Sequence, residues 1–257
     1  MKAANRLLCP LVAGLLALSG CTGQVPAGAV PAVPTPAPAT SAAATAGSTC
    51  DPRMGTCLGP VAAGTYTSTS FNPPITYTVP AGWENFQDSL TDFMLDRTSD
   101  PVDDFFGQNA IYIHRNVSAA AQDCGSSAEP GVGRSVEQLA AWLGGLDGLT
   151  VTPAKPATMG GLDGLTLDIR LAKGWRKTCD WANDRPIVPL TISGDPAQFR
   201  HTGHFTAQGG TWRFYLLATP DGGNVAVQLL DIPRGVSFDG YMKAVAPVLA
   251  SLRFGGG

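Results

Sequence analysis

The sequence predicts an α+β fold in which helices pack on a mainly antiparallel sheet, after an N-terminal segment without regular structure. Three observations lead to this prediction. Short segments rich in β-branched and aromatic residues recur along the chain and are separated by Gly, Pro or Asp. Two of them flank Thr219-Pro220-Asp221-Gly222-Gly223, a sequence typical of a hairpin connection. Two segments have helical periodicity, too few for the regular alternation of a βαβ fold.

The N-terminus has the layout of a secretory signal. Lys2 and Arg6 precede an apolar run over residues 7–18, which is shorter than the roughly 20 apolar residues needed to cross a membrane. The following residues, Leu18-Ser19-Gly20-Cys21, closely resemble the lipobox of bacterial lipoproteins. This resemblance implies that residues 1–20 are removed and that lipid on Cys21 anchors the chain to the extracytoplasmic face of the cell membrane. A conventional signal followed by a free or disulfide-bonded Cys21 is the alternative.

Residues 21–49 are predicted to form a disordered, lipidated tether. The segment contains five prolines between Pro26 and Pro38 and almost no large apolar or charged side chains. Such a composition buries too little surface to offset the entropy of ordering, and its prolines favour extended conformations. Residues 50–257 are long enough for a full core, so we expect a single extracytoplasmic domain there.

The remaining cysteines predict disulfides. Cys9 is removed with the signal and Cys21 carries lipid, which leaves Cys50, Cys57, Cys124 and Cys179. An even number in an exported domain indicates disulfides, with three connectivities open. We favour Cys50–Cys57, closing a small loop, and Cys124–Cys179, tying two long loops together. A zinc site is the alternative, but no Cys-x-x-Cys and no histidine at ligand spacing accompany these cysteines.

The charge balance argues against nucleic acid as a partner. The chain has 17 basic and 20 acidic residues, and removal of Lys2 and Arg6 makes the processed form more acidic. No basic cluster offsets this balance, so an electrostatic footprint for phosphate is missing from the sequence.

Nine strands and two helices are predicted. The strands lie at residues 66–70, 75–79, 93–97, 110–116, 164–171, 188–192, 199–206, 212–218 and 225–232. The first helix begins at Ser135, whose hydroxyl and Gln138 can form a capping box, and it ends at Gly144-Gly145. The second covers residues 238–250 and contains Pro247, which removes one hydrogen bond and predicts a kink.

A heptapeptide is duplicated in the chain. Residues 144–150 and 160–166 both read Gly-Gly-Leu-Asp-Gly-Leu-Thr. Calcium binding through Asp147 and Asp163 is one interpretation, but neither copy places several oxygen ligands at alternating positions. Two Gly-rich turns that enter two strands are therefore the favoured interpretation.

Residues 75–83, which read Ile-Thr-Tyr-Thr-Val-Pro-Ala-Gly-Trp, and the closing Ser251-Leu252-Arg253-Phe254 carry a family resemblance. With the intervening helix, hairpin and Gly-Gly strand entry, this layout resembles actinobacterial cell-envelope lipoproteins. More remotely, it is similar to the Mog1/PsbP-type α/β/α sandwich. The shared motifs are structural, so the resemblance implies a fold and a binding or assembly role, and it transfers no functional residue.

No catalytic residue is assigned from the sequence. It has no Gly-x-Ser-x-Gly or Ser-x-x-Lys motif, no phosphate loop and no dinucleotide fingerprint, so no cofactor is predicted. His201 and His204 are close in the chain, but residues three apart on a strand point to opposite faces unless Gly203 forms a bulge. Ordinary sheet positions are favoured for these residues and for His114, and no metal site is assigned.

Two loops complete the list of candidates. Asp100, Asp103 and Asp104 could bind a cation or act as paired carboxylates, but groups on one loop do not face each other across a cleft, so a solvated loop is favoured. Residues 174–181 combine Trp175, Arg176 and Trp181 with a cysteine predicted to form a disulfide. Aromatic and charged side chains on a clamped loop suit a glycan, a lipid headgroup or a protein, whereas packing of both tryptophans over the disulfide is the alternative.

The sequence thus predicts a lipid-anchored, non-enzymatic binding or assembly module of the cell envelope. Its partners would be the membrane, through Cys21, and an envelope lipid, glycan or protein. Two alternatives remain: an extracytoplasmic hydrolase acting on envelope glycan or lipid, and a purely structural envelope protein.

Overall fold

An antiparallel sheet of ten strands forms the centre of the fold, as the strand patterns predict. The computed structural model describes residues 49–50, 57–99, 102–103, 107–194, 202–207, 210–231 and 237–255. These residues belong to a compact unit that spans Thr40–Gly257. The predicted signal, Cys21 and most of the predicted tether lie outside the described residues. Within the described part of the chain, no helix is both long and apolar enough to cross a membrane.

All nine predicted strands have counterparts among the observed strands. In chain order these are β1 (Thr49–Cys50), β2 (Cys57–Val61), β3 (Gly64–Thr67), β4 (Ile75–Val79), β5 (Trp83–Asp88), β6 (Asp92–Arg97), β7 (Val102–Asp103), β8 (Gly107–Gln108), β9 (Ala110–Arg115), β10 (Ser118–Ala119), β11 (Leu149–Val151), β12 (Lys155–Met159), β13 (Leu162–Leu171), β14 (Ile187–Ser193), β15 (Thr202–Ala207), β16 (Thr211–Ala218), β17 (Asn224–Asp231) and β18 (Arg253–Phe254). The helices are α1 (Val136–Gly144) and α2 (Phe238–Ser251), and a 3₁₀ turn covers Asp180–Ala182.

The central sheet has the order β1-β2-β5-β6-β9-β17-β16-β13-β11, with β12 also paired to β13. The β16–β17 hairpin lies in its interior, as predicted. Two smaller sheets, β18-β4-β3 and β10-β14-β15, complete the packing, and β7 pairs with β8. The described pairs are antiparallel, which confirms the predicted mainly antiparallel α+β fold.

Each face of the central sheet buries its own apolar core, because successive side chains of a strand point to opposite faces. On β17, Val227 and Leu229 face a core shared with α2 and the small sheet β18-β4-β3. Ala226 and Leu230 face a second core shared with α1, β10 and β14. The fold is therefore an open, sandwich-like arrangement with a helix and a small sheet on each face.

Both helices begin as predicted. The Ser135 hydroxyl accepts from the Gln138 backbone N–H at 3.2 Å, and the Gln138 side chain accepts from the Ser135 N–H at 3.3 Å, which completes the capping box. Helix α2 starts after Ser237, whose hydroxyl accepts from the Gly240 N–H. It contains Pro247 and continues to Ser251.

Strand β5 was not predicted because two of its three buried positions are occupied by polar residues. Trp83, Asn85 and Asp88 are buried, whereas Phe86 is 52 % exposed. The buried Asp88 carboxylate accepts hydrogen bonds from backbone N–H groups of the β3–β4 loop, including that of Phe71 at 2.9 Å. Hydrophobic alternation therefore gives no signal for this strand.

One predicted disulfide is confirmed. Cys124 and Cys179 are bonded, with their Cα atoms 5.6 Å apart, and they are 55 positions apart in sequence. For the other predicted pair, the backbone of Cys50 lies opposite that of Cys57 in the β1–β2 register. The side chains of Cys50 and Cys57 lie outside the described residues.

The two identical heptapeptides adopt different conformations. In the first copy, Gly144 ends α1 and the strand begins only at Leu149; in the second, Gly160 and Gly161 form a turn and the strand begins at Leu162. A side chain at Gly148 would collide with the ring of Trp175, and one at Gly164 would collide with the Leu216 carbonyl on β16. Both copies enter strands, as the favoured interpretation predicts.

Candidate functional site

The loop that carries the predicted ligand-binding residues is attached to the segment that follows β10 by the Cys124–Cys179 disulfide. Trp175 on this loop is half-buried: its Nε1–H donates to the Ile187 carbonyl oxygen at 2.8 Å, and its ring covers Gly148. The Lys177 ammonium lies 5.2 Å from the centre of the ring. Trp175 therefore packs the loop onto the domain at Gly148 and Ile187.

Trp181 has a different environment. It lies in the 3₁₀ turn and 47 % of its surface is exposed. Its Nε1–H donates to the Cys124 carbonyl oxygen at 3.3 Å, so the indole edge is fixed beside the disulfide while a large part of its surface meets solvent. Arg176 is exposed and lines neither of the two depressions described next.

Two depressions lie on either side of the disulfide. The first, of about 340 Å³, is lined by Trp175, Lys177, Gln122 and Asp147 together with Cys179. The second, of about 300 Å³, is lined by Ser126 from the segment after β10, by Trp181, and by Ile192, Gly203 and His204 from β14 and β15. Cys124 and Pro189 contribute to both walls. The two depressions are therefore neighbours that share the wall formed by Cys124 and Pro189.

A buried polar group lies behind the second depression, between the central sheet and the small sheet β10-β14-β15. Its members are 7 % exposed or less; we call Asp92, His114 and His204 the histidine cluster, and Ser193, Thr191 and Gln228 surround it. The central sheet supplies Asp92 and His114, which are directly opposed on β6 and β9. The small sheet supplies His204 on β15, opposite Thr191 on β14.

A β-bulge on β14 places Thr191 in this group. The register shifts between Pro189 and Thr191, so that Leu190 is an extra residue on this strand. Leu190 and Thr191 are consecutive yet both fully buried, the first in the apolar core and the second beside His204. On a regular strand these two side chains would point to opposite faces.

The hydrogen bonds of the histidine cluster are short, and two ring nitrogens take no part in them. His114 Nδ1 lies 2.7 Å from Asp92 Oδ1, and Ser193 Oγ donates to the same oxygen at 2.6 Å. Thr191 Oγ1 lies 2.9 Å from His204 Nδ1. The two imidazole rings are in contact, with their centres 3.9 Å apart and their planes tilted by 35°. Among the described residues, neither the Nε2 of His114 nor that of His204 has a hydrogen-bond partner, although both atoms are buried.

The pKa values of Asp92 and His204 are both lowered in the cluster, but for different reasons. Burial raises the pKa of Asp92. This effect is outweighed by the hydrogen bond and the charge of His114 and by the hydrogen bonds from Ser193 and Thr91, which together hold the pKa well below its usual value. Burial and the neighbouring His114 hold the pKa of His204 well below 6.5, against the opposing effect of Asp92. Burial thus favours the neutral imidazole of His204, the form that can accept a hydrogen bond or bind a metal ion.

The arrangement differs from that of a serine hydrolase. Nucleophilic catalysis requires the base to take the serine proton, with a carboxylate behind the histidine. Here Ser193 donates to the carboxylate of Asp92 and is only 1 % exposed. The geometry thus gives no support to the hydrolase alternative at this position.

The histidine cluster joins residues that are distant in the chain. In the sequence, His201 was weighed with His204 because they are neighbours in the chain, whereas the structure joins His204 to His114 and Asp92. His201 lies outside the described residues. The available signal was a polar residue at the end of an apolar strand pattern, as with Asp92 beside Phe93 and Leu95, but such a pattern does not show which strands meet.

The acidic run forms no described site. Asp103 lies in β7, while its side chain and all of Asp100 and Asp104 lie outside the described residues.

Comparison of the chain with models of known protein families and with curated protein sequences finds no match. Functional inference therefore depends on the geometry of the depressions and of the histidine cluster.

Proposed function

We propose that the chain is a lipid-anchored binding module on the extracytoplasmic face of the cell membrane, and that it binds a glycan of the cell envelope in the two depressions beside the disulfide. Lipid on Cys21 would anchor it and residues 21–49 would give it reach. We further propose that its domain belongs to the Mog1/PsbP-type sandwiches. A helix on each face of the central sheet supports this assignment.

The observation that carries the function is the exposed Trp181 on a covalently clamped loop. Sugars present apolar C–H faces and hydroxyl groups together, and an indole with 47 % exposure offers a flat apolar surface for the former. Ser126 beside Trp181, and Gln122 in the first depression, offer polar groups for the latter. Each depression reaches the lower end of the size range of small-ligand sites, about 300 Å³.

Charge favours a glycan over an anionic lipid surface. The first depression contains both Lys177 and Asp147, and the whole chain has a formal net charge of −3. A surface that binds anionic headgroups depends on a cluster of cations. The disulfide itself is expected in an exported protein, which is consistent with the proposed compartment.

Saturation-transfer NMR with tri-N-acetylchitotriose as the probe tests this function. We expect transfer to the sugar C–H protons with the wild-type protein and its loss in W181A. F86A is the matched control, because Phe86 is an aromatic residue of similar exposure, 52 %, on a different part of the surface. No transfer with the wild type, or equal transfer with W181A and the wild type, would overturn the proposal for this glycan class.

A further inference from the structure

We propose that the histidine cluster is a binding site for a divalent transition-metal ion of borderline softness, with Zn²⁺ as the ion to test. His114 and His204 would bind through their Nε2 atoms, and Asp92 would orient His114 and offset part of the ion's charge. The site adjoins the second depression, whose lining includes His204, but the proposal does not rest on the glycan function.

The first argument is the pair of unsatisfied nitrogens. Buried polar atoms in native proteins nearly all have a partner, so each exception requires an explanation. Here two exceptions occur on rings that are in contact, His114 and His204. Both rings use Nδ1 for a hydrogen bond within the protein, which leaves Nε2 as the free position. An ion that accepts both lone pairs satisfies the two nitrogens at once.

The second argument is distance. One potential ligand atom from each of Asp92, His114 and His204 can be chosen such that all three lie within 4.8 Å of one another. Zinc–nitrogen bonds of 2.0–2.1 Å in tetrahedral geometry place neighbouring ligand atoms about 3.3 Å apart. The two imidazole rings, whose centres lie 3.9 Å apart, are thus close enough to share one ion.

The third argument is the outer shell. A metal-binding histidine usually donates its other ring N–H to a carboxylate, a carbonyl or another acceptor, which fixes the ring and its tautomer. Asp92 has this position relative to His114, and Ser193 and Thr91 in turn hold its two oxygens. Thr191 has the same position relative to His204, and Gln228 Nε2 donates to the Thr191 hydroxyl at 3.2 Å.

The ligand chemistry selects the class of ion. Imidazole nitrogens suit zinc, copper, nickel and iron, whereas calcium and magnesium require a shell of oxygen atoms. The cluster offers two imidazoles and one carboxylate, so a hard cation would find too few oxygen ligands here. Zn²⁺ is the simplest probe because it has no redox chemistry and tolerates irregular geometry.

Isothermal titration of metal-free, EDTA-treated protein with Zn²⁺ tests the site. We expect one equivalent to bind to the wild type, binding to be lost in H114Q and H204Q, and affinity to fall about 10- to 100-fold in D92N. H201Q, which removes the remaining histidine of the chain, is the matched control and should bind like the wild type. Absence of binding to the wild type, or unchanged binding in both H114Q and H204Q, would overturn the proposal.

X-ray absorption spectroscopy of the zinc-loaded wild type keeps the test independent of variant folding. Two imidazole scatterers at the zinc–nitrogen distance are expected, and a spectrum without them would reject the site. Glycan binding measured on EDTA-treated protein distinguishes the two proposals, because it should persist without metal if the depressions alone are responsible.

Discussion

Removal of the Cys124–Cys179 cross-link should lower the free energy of unfolding by an amount that follows from its loop length. The two residues are 55 positions apart. In the chain-entropy model, freeing a loop of this length in the unfolded state costs about 4 kcal/mol of native stability. The substitution C124A tests this value best, since it removes the cross-link while the buried Cys179 side chain stays in place.

Equilibrium urea unfolding under non-reducing conditions, followed by far-ultraviolet circular dichroism, measures the difference. We expect the midpoint to fall and the slope to rise, because an unfolded chain without the cross-link exposes more surface. C124S is the control for side-chain chemistry and should agree with C124A. A loss no larger than the roughly 1 kcal/mol of an average substitution would refute the reasoning. It would mean that other contacts already restrict residues 124–179 in the unfolded chain.

Three further predictions concern the buried polar groups and the helix start. In EDTA-treated protein, the free energy of unfolding should fall as the pH drops below 6.5. His204 then binds a proton in the unfolded chain but not in the folded protein, where its pKa is lowered. The slope should approach about 1.4 kcal/mol per pH unit in urea titrations. Asn224→Leu should destabilise by about 3 kcal/mol in the same assay, because Asn224 makes three side-chain hydrogen bonds, including two with the backbone of Val117. Ser135→Ala should lower stability by about 1 kcal/mol, since it removes the Ser135 hydroxyl from the capping box with Gln138.

Each of these predictions has a matched control. H204Q should flatten the pH dependence below 6.5, and an unchanged slope in that variant would assign the titration to another group. Asn224→Asp keeps the oxygen that accepts from the Val117 N–H but loses the hydrogen bonds donated to the Val117 and Arg134 carbonyl oxygens. If it destabilises the protein as much as Asn224→Leu does, the effect comes from the two donated hydrogen bonds. Ser135→Thr keeps a hydroxyl at the helix start and should restore most of the stability; equal losses for Ala and Thr would contradict the capping argument.

Local patterns predicted the elements that depend on local physics. The capping box at Ser135, the β16–β17 hairpin and the strand at residues 75–79 follow from hydrogen bonding and alternation within a few residues. Strand β5 was missed because buried Asn85 and Asp88 interrupt the apolar pattern that identifies a strand.

The histidine cluster could not be predicted because it depends on pairing between distant strands. Asp92 meets His114 through the β6–β9 register, and both meet His204 only because the β14–β15 hairpin packs on that face of the sheet. The disulfide that clamps residues 174–181 was predicted correctly from the cysteines. Trp175 is half-buried and Trp181 is 47 % exposed, because the exposure of each ring depends on what packs against it.

The pairing of β9 with β17 has a consequence for folding speed. It joins the two halves of the central sheet, and the adjoining Val117 and Asn224 are 107 positions apart in the chain. The β5–β6, β12–β13 and β16–β17 hairpins need only short loops to close. Closing the long connection costs conformational entropy before the contacts between β9 and β17 can contribute stability. Such topologies therefore fold in roughly milliseconds to seconds. We therefore expect the hairpins to form first and the union of β9 with β17 to set the rate.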